Sequence, residues 1–580
     1  MKKIILREYG IVPDSDCTLS LLSLFESNKT DTEFVFEAGK YYFSPKIIRD
    51  LRLSNTNVLP ERRLGMLLEG MKNIKLTGNG AWLMYGGQMQ AVTMTDCESV
   101  VMENFTIDWE KPLVSEGIVT HFDDSSVDLY IDQKAFPHRV VDGVIEFDIG
   151  NGEWSPMNDW GQIQYDCATR TIRRTTGDRF YIDRLVAELG NSTYRFSASS
   201  PDTACGNIIV LRHNNRDHAG IFTEKCSDIT IENVTVHCCG GLGCLAQFCR
   251  DLTYRRVDFL PNRAAGRQVI SGRDDGMHIT CCSGTVTITE CSFLGLMDDP
   301  INVHGCSVPV VRWVDSHTLL AKYAHPQACG FKYFAERGDE IVLIDRKKMN
   351  QLVHLHVDSY ELTGEDEGQT FRLTLTDEIP AGIMESDPQG VALDNLSHTA
   401  DFICTKNRFG SCRARGVLVS TPGHVVIADN LFQSSGSAIL VAGDANYWFE
   451  SGECHDVEIC GNVFTDACLS SMYQFCDGII SVCPVVPSPD TNLPFHKNIR
   501  IHNNVFDTPD SPVLYCFSTD GLSFTDNRIF HSPSADKWHP GHALYKLAYS
   551  RNVVIRANDI IGPLGIDSYD VNSCADIELE

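Results

Sequence analysis

One phrase recurs along the chain and limits what it can fold into. Alternating apolar residues lead to an Asn, Cys or Asp, and another apolar residue follows. It reads DITIENVTV (Asp228 to Val236), DLTYRRVDF (Asp251 to Phe259), TVTITECSF (Thr285 to Phe293), HVVIADNLF (His424 to Phe432) and DVEICGNVF (Asp456 to Phe464). It returns as NIRIHNNVF (Asn498 to Phe506), GLSFTDNRI (Gly521 to Ile529) and NVVIRANDI (Asn552 to Ile560), with weaker copies at NIKLTGNG (Asn73 to Gly80) and SVVMENFTI (Ser99 to Ile107). Ile231 and Tyr254 are 23 apart, as are Ile501 and Phe524, and other spacings run from about 31 to 42. A fixed minimum with variable excess is the mark of a repeating coil with loops let out at its corners.

Period-two alternation makes each phrase a strand with one buried face, and no helical periodicity competes. Strands returning every 23 or so residues predict an all-β, right-handed parallel β-helix. A β-sandwich is the alternative. Asn at the bends (Asn233, Asn430, Asn462, Asn504, Asn527, Asn558) suits a corner, because its side chain bonds local backbone and tolerates left-handed geometry. The phrase vanishes in two strand-rich stretches, which are expected to be inserted β-barrel-like domains walling one face of the solenoid. The predicted division is 1–112 N-terminal coils, 113–204 first insert, 205–306 catalytic coils, 307–400 second insert and 401–580 C-terminal coils.

The segments RDDGMHI (Arg273 to Ile279) and MDDPINV (Met297 to Val303) place Asp274 and Asp298, and Asp275 and Asp299, 24 residues apart. If 24 residues is one coil, four carboxylates meet. Carboxylates that close repel, and one proton is then held more tightly than the others. An acid and a base can thus arise from a single residue type, as hydrolysis of a glycosidic bond requires. A hard-cation site is the competing reading of the quartet. Asp274 should turn away from its neighbour on an alternating strand.

The same alignment puts Gly220, Gly243, Gly276 and Pro300 in one column, and Glu224, Gln247, Thr280 and His304 in another four places on. Glu224 reads as a rung of a self-satisfying ladder. Gln247 and His304 read equally as ladder or as sugar contacts. His278 and Asn302 are column partners and further candidates. The loop ANYWFESGE (Ala445 to Glu453) offers Trp448 as a sugar platform and Glu450 as a hydroxyl acceptor, with Trp109 a second platform. Ordinary core is the competing reading for both tryptophans.

Lys and Arg number 49 against 77 Asp and Glu, a formal charge of 49 − 77 = −28. This argues against nucleic acid and anionic membranes as partners, and favours a neutral glycan over an acidic one. No stretch approaches a membrane span. The opening MKKIILREYG has the charged start of a signal peptide without its apolar run. The compartment is therefore open: secreted or periplasmic in bacteria if a signal was removed, otherwise cytoplasmic. The 23 cysteines lack close ligand pairs and read as small apolar residues stacked coil on coil. No metal or other cofactor is expected, and a homo-oligomer is compatible with the sequence.

Taken together, RDDGMHI…LMDDPINVHG, FTIDWEKP (Phe105 to Pro112) and GGLGCLAQFC (Gly240 to Cys249) resemble glycoside hydrolase family 110 over most of the chain. The resemblance implies a β-helical exo-α-galactosidase that inverts the anomeric centre and removes terminal α-1,3-linked galactose, from blood-group B or linear glycans. It implies catalysis by Asp275, Asp298 and Asp299, on a galactose-terminated oligosaccharide. Two alternatives stand beside it. A polygalacturonase-like hydrolase would need uronate-binding basic residues that VHGC and IRIHNN only partly echo. A non-catalytic β-helical glycan-binding protein would need no aspartates in register.

Overall fold

The computed structural model describes residues 1–580 apart from 60, 159–161, 177–179, 214, 328–330, 365, 367–368, 434–435, 466–475, 533–536, 538–539 and 563–567. The repeat phrases are strands of a parallel β-helix. Among the described residues one sheet carries 22 strands, from Lys2–Ile5 to Ala575–Leu579, and a second carries 14, from Ile47–Arg49 to Tyr569–Asn572. The register follows the spacings: Ile231 pairs with Tyr254 and Ile501 with Phe524, each one coil apart. The apolar residue after each bend points inward, and its copies stack. Phe259, Phe293, Phe409, Phe432, Phe464 and Phe506 form a column with centroid separations of 5.6, 5.2, 4.5, 5.0 and 4.6 Å. Those spacings are set by the distance between neighbouring parallel strands.

The bends work differently from the expectation. The left-handed residue is the one before the recurring Asn: Asp429, Gly461, Asn503, Asp526 and Ala557 all have positive φ. The Asn side chains bond between coils. Each of Asn407, Asn430, Asn462, Asn504 and Asn527 donates its Nδ2 to the Oδ1 of the next rung, at 3.0–3.1 Å, ending at Asn558. The same Oδ1 atoms accept the backbone N–H of the previous rung. Buried backbone groups at a corner must find partners, and the ladder supplies them. Asn233 is no rung; it takes the left-handed conformation itself.

Two modules leave the helix. After Trp109 come a six-stranded antiparallel sheet, from Val114–Asp123 to Ile208–Arg212, and a three-stranded sheet spanning His138–Val141, Val144–Gly150 and Glu153–Pro156. After Cys306, six antiparallel strands between Val308–Asp315 and Val391–Asn395 close into a barrel. Each module has its own apolar core. Glu116 of the first module clasps it to the coils, accepting the backbone N–H groups of Gln268, Val269 and Ile270 at 2.8–2.9 Å; within the coils, Asp108 pairs with Arg267 just beside this contact. The described cysteines are free thiols, mostly buried in the helix core. No helix of the described residues is long and apolar enough to cross a membrane.

Candidate active site

Strands Met277–Thr280 and Ile301–Cys306 pair in parallel, His278 opposite Asn302 and Thr280 opposite His304. The turns before them are in the same register: Gly276 N donates to Asp299 O at 2.9 Å and Met277 N to Pro300 O at 2.8 Å. The 24-residue offset is therefore one coil, and the four aspartates share one corner. The next coil enters through Val417–Ser420, with Val417 opposite Ile301. That stacks Arg415 above Asp299, although 116 residues and the barrel separate them.

Four arginines face the four aspartates. Arg216 places Nε 3.0 Å from Asp274, and its Nη2 lies 2.5 Å from Asp298 and 3.5 Å from Asp275. Arg273 holds both oxygens of Asp274 at 2.9 Å. Arg415 holds Asp299 through its backbone N–H at 3.0 Å and its guanidinium at 2.6 Å, and Arg413 lies 3.7 Å from Asp298. Charges this buried persist only when paired.

The pairing is uneven, so the carboxyls differ. Burial acts against ionisation at Asp274, but Arg216 and Arg273 overcome it and bring the group down to about 2. Burial, then the Asp298 charge, pushes Asp275 well above the usual carboxylate range. Asp299 is pushed up to about 7 by burial, which Arg415 only partly offsets. At Asp298 burial is outweighed by Arg216, Arg413 and Arg415, and the carboxyl is held below its ordinary range. The corner thus contains carboxylic acid and carboxylate together near neutral pH.

Asp275, Asp298 and Asp299 line a cavity of about 800 Å³, within the usual range for ligand sites. Asp275, Asp298, Asp299, Arg216, Arg413, Arg415, His278, Asn302, Asn55 and Glu450 line its polar part. Leu418, Leu440, Ala442, Cys483 and Val485 line an apolar part, with Tyr181, Tyr447 and Trp448 beside them. Glu450 accepts from Asn302 Nδ2 at 3.2 Å and Asn55 Nδ2 at 3.0 Å. The Trp448 loop is organised by Asp444, whose carboxylate accepts the backbone N–H groups of Asn446, Tyr447 and Trp448 at 2.6, 3.0 and 2.5 Å. The indole, 39% exposed, leans on His325 at 4.5 Å.

Four expected site residues do not line the cavity. Trp109 is core: it lies at the inward end of Glu98–Trp109, packs on Tyr85 and donates Nε1–H to Gly87 O at 2.9 Å. Gln247 joins a ladder, donating to Arg52 O at 2.6 Å and Glu224 Oε1 at 2.7 Å while accepting from Ser54 N at 3.0 Å. Asp274 is enclosed by its two arginines. His304 sits behind His278, its Nε2 2.8 Å from His278 Nε2. Arg216, Asn55 and Tyr181 were missed, since no motif surrounds them. Arg413 and Arg415 had a signal: CRARGVLV aligns in kind with GRDDGMHI once the barrel is removed.

Among the described residues, two groups bring metal-binding side chains together. Donor atoms of His278, His304 and Glu450 lie within 4.8 Å of one another. The 2.8 Å Nε2–Nε2 separation is that of a hydrogen bond; two nitrogens about 2.0–2.1 Å from a tetrahedral zinc stand further apart than this. Glu458, Cys460 and His502 lie on the outside of the coils, with His502 bonded to Glu458 at 3.1 Å.

With this geometry in place, relatives can be compared. The family described as GLAA-B beta-barrel domain I matches residues 115–209. Alpha-1,3-galactosidase B of Bacteroides thetaiotaomicron is 35% identical over 97% of this chain and 91% of its own. Alpha-1,3-galactosidase B of Phocaeicola vulgatus is 30% identical over 96% of this chain and 95% of its own. Alpha-1,3-galactosidase A of Bacteroides fragilis is 30% identical over 90% and 86%. The fold is a parallel β-helix, and the relatives that match it over nearly its whole length are glycoside hydrolases. The chain belongs to glycoside hydrolase family 110, the family of these α-1,3-galactosidases.

Proposed function

We propose that this chain is an exo-acting α-1,3-galactosidase that releases terminal galactose with inversion. The observation that carries the mechanism is the split among three cavity-lining carboxyls: Asp275 and Asp299 are raised and Asp298 is held ionised. A carboxylic acid is required to protonate the leaving oxygen, and a carboxylate to activate water on the opposite face of the sugar. Asp298 meets the second requirement and is the more exposed of the three, its side chain 23% exposed. The names of the relatives support α-1,3-linked galactose as the substrate, and the neutral sugar suits a strongly acidic chain.

Asn55, Asn302, Glu450 and Arg415 offer hydroxyl partners at the polar end, and Trp448 offers a ring for the C–H face of a hexose. The apolar part of the cavity, along Leu418, Leu440 and Val485, would take the sugar to which galactose is attached. Early NMR spectra of digests of a linear α-1,3-galactoside and of the branched blood-group B oligosaccharide test the proposal. β-Galactose is the expected first product. Initial α-galactose would overturn inversion, and no galactose from either glycan would overturn the activity.

A further inference from the structure

A carboxylate, a thiol and an imidazole meet outside the cavity, on the 22-stranded sheet and not on the sheet of the catalytic strands. Strands Val457–Cys460 and His496–His502 pair in parallel, with Cys460 opposite His502. Buried residues alternate with partly exposed ones at the ends of both strands, and Glu458, Cys460 and His502 fall in the second set. From Cys460 to His502 is 42 residues in sequence but one coil in space, so no short ligand motif marks the pair. Donor atoms of the three lie within 4.8 Å of one another. Ala428, opposite Cys460 on the preceding coil, is too small to cover the thiol.

We propose that Glu458, Cys460 and His502 form a site for a divalent transition-metal ion, best suited to zinc, that ties two coils together across the outer face of the solenoid. Zinc accepts thiolate, imidazole and carboxylate in one shell. Bonds of about 2.0–2.3 Å give a tetrahedron with edges of about 3.3–3.6 Å. His502 Nε2 and Glu458 Oε1, 3.1 Å apart, are already near that edge. The Glu458 and His502 side chains are 32% and 28% exposed and have room to turn the remaining distance. Water completes the fourth position. The opposing cation is Arg500, 3.8 Å from Glu458 but 2.9 Å from Asp456, which holds it to one side.

Asn503 Nδ2 donates to His502 Nδ1 at 2.9 Å, which leaves the ring hydrogen on Nε2, towards Glu458. Zinc takes the place of that hydrogen. The hydrogen moves to Nδ1, and the Asn503 amide turns over so that its oxygen accepts it, the outer partner a metal-bound imidazole normally has. The Cys460 thiol loses its proton to solvent as the sulfur–zinc bond forms, so about one proton is released per ion near neutral pH.

Titration of the full chain, stripped with chelator, tests the site with cobalt(II) as the optical probe and zinc as its competitor. Wild-type protein should develop a sulfur-to-cobalt absorption band at one equivalent, lose it to zinc bound with a Kd below about 1 μM, and release one proton per zinc. Cys460→Ser and His502→Ala should each abolish the band. Asn503→Gly, which the left-handed backbone there accepts, should weaken zinc by about 10–100-fold, the value of an outer partner. Zinc should raise the melting temperature of wild-type protein and leave that of Cys460→Ser unchanged. Cobalt binding without a sulfur band would mean an adventitious ion only and overturn the proposal. A band that survives Cys460→Ser would come from another thiol and overturn it equally. Neither readout depends on galactose release.

Discussion

Arg216 Nη2 lies 2.5 Å from Asp298 Oδ2 and belongs to a different coil, 82 residues earlier. The same guanidinium reaches Asp274 and Asp275, so one cation sets the ionisation of most of the corner. Arg216→Met should cost about 3–5 kcal/mol of stability, the range for breaking a buried pair. Adding Asp298→Asn should restore part of it. A denaturant titration of the single and double variants measures both, and a loss below 1 kcal/mol in the single variant would contradict the account.

Asp275→Asn, Asp298→Asn and Asp299→Asn should each lower turnover by about 10²–10⁴-fold, the value of general acid or base help. An aryl galactoside with a good leaving group needs little protonation. It should restore much of the rate to the variant that has lost the acid and little to the variant that has lost the base. Near-normal rates in all three variants would move the site elsewhere.

Buried carboxyls also give stability a pH dependence. Asp299, Asp394 and Glu224 are each pushed up to about 7, by burial first of all. Their unfolded values lie near 4, so between these limits the folded chain binds more protons than the unfolded one. Stability from these groups is present below about pH 4 and is lost as pH rises through about 7. Asp274, brought down to about 2, acts in the opposite sense: its contribution is present above about pH 4 and is lost as pH falls towards 2. The melting temperature should fall from pH 5.5 to pH 8. Asp394→Asn, in the barrel, should flatten that fall without touching the cavity.

Trp448→Ala should raise the Michaelis constant for a galactoside more than it lowers turnover, because the ring contributes surface and no proton. An unchanged Michaelis constant would place the sugar elsewhere in the cavity.

Asn462 serves four bonds in the corner ladder, accepting from Asn430 N and Nδ2 and donating to Ile427 O and Asn504 Oδ1. Asn462→Leu strands those partners, and each buried unsatisfied group costs about 1–3 kcal/mol. The variant should melt markedly lower yet keep its catalytic rate at low temperature.

The coil and the aspartate corner were legible because both depend on regular spacing, and Ile231 with Tyr254 or Asp275 with Asp299 differ by one coil and nothing else. The arginines were hidden for two different reasons. Arg415 occupies the same column as Asp299, but the barrel stretches a one-coil step to 116 residues. Arg216 reaches the corner by side-chain length from a loop, which no periodicity records. The tryptophans had equal standing in the sequence. Strand alternation buries Trp109, whereas Asp444 holds the Trp448 loop open to the cavity.

The barrel between Cys306 and Val417 also sets a timetable. A ribosome makes Asp298 and Asp299 more than a hundred residues before Arg413, Arg415 and Glu450. Until the barrel has emerged and closed, the nascent corner carries four acids without Arg413 or Arg415 to face them, and its last coil has no partner strand. Domains tend to fold as units as they are synthesised, so the barrel should close as an independent body while the corner waits unfinished. The pocket is then completed late, by a segment that arrives after the catalytic residues themselves.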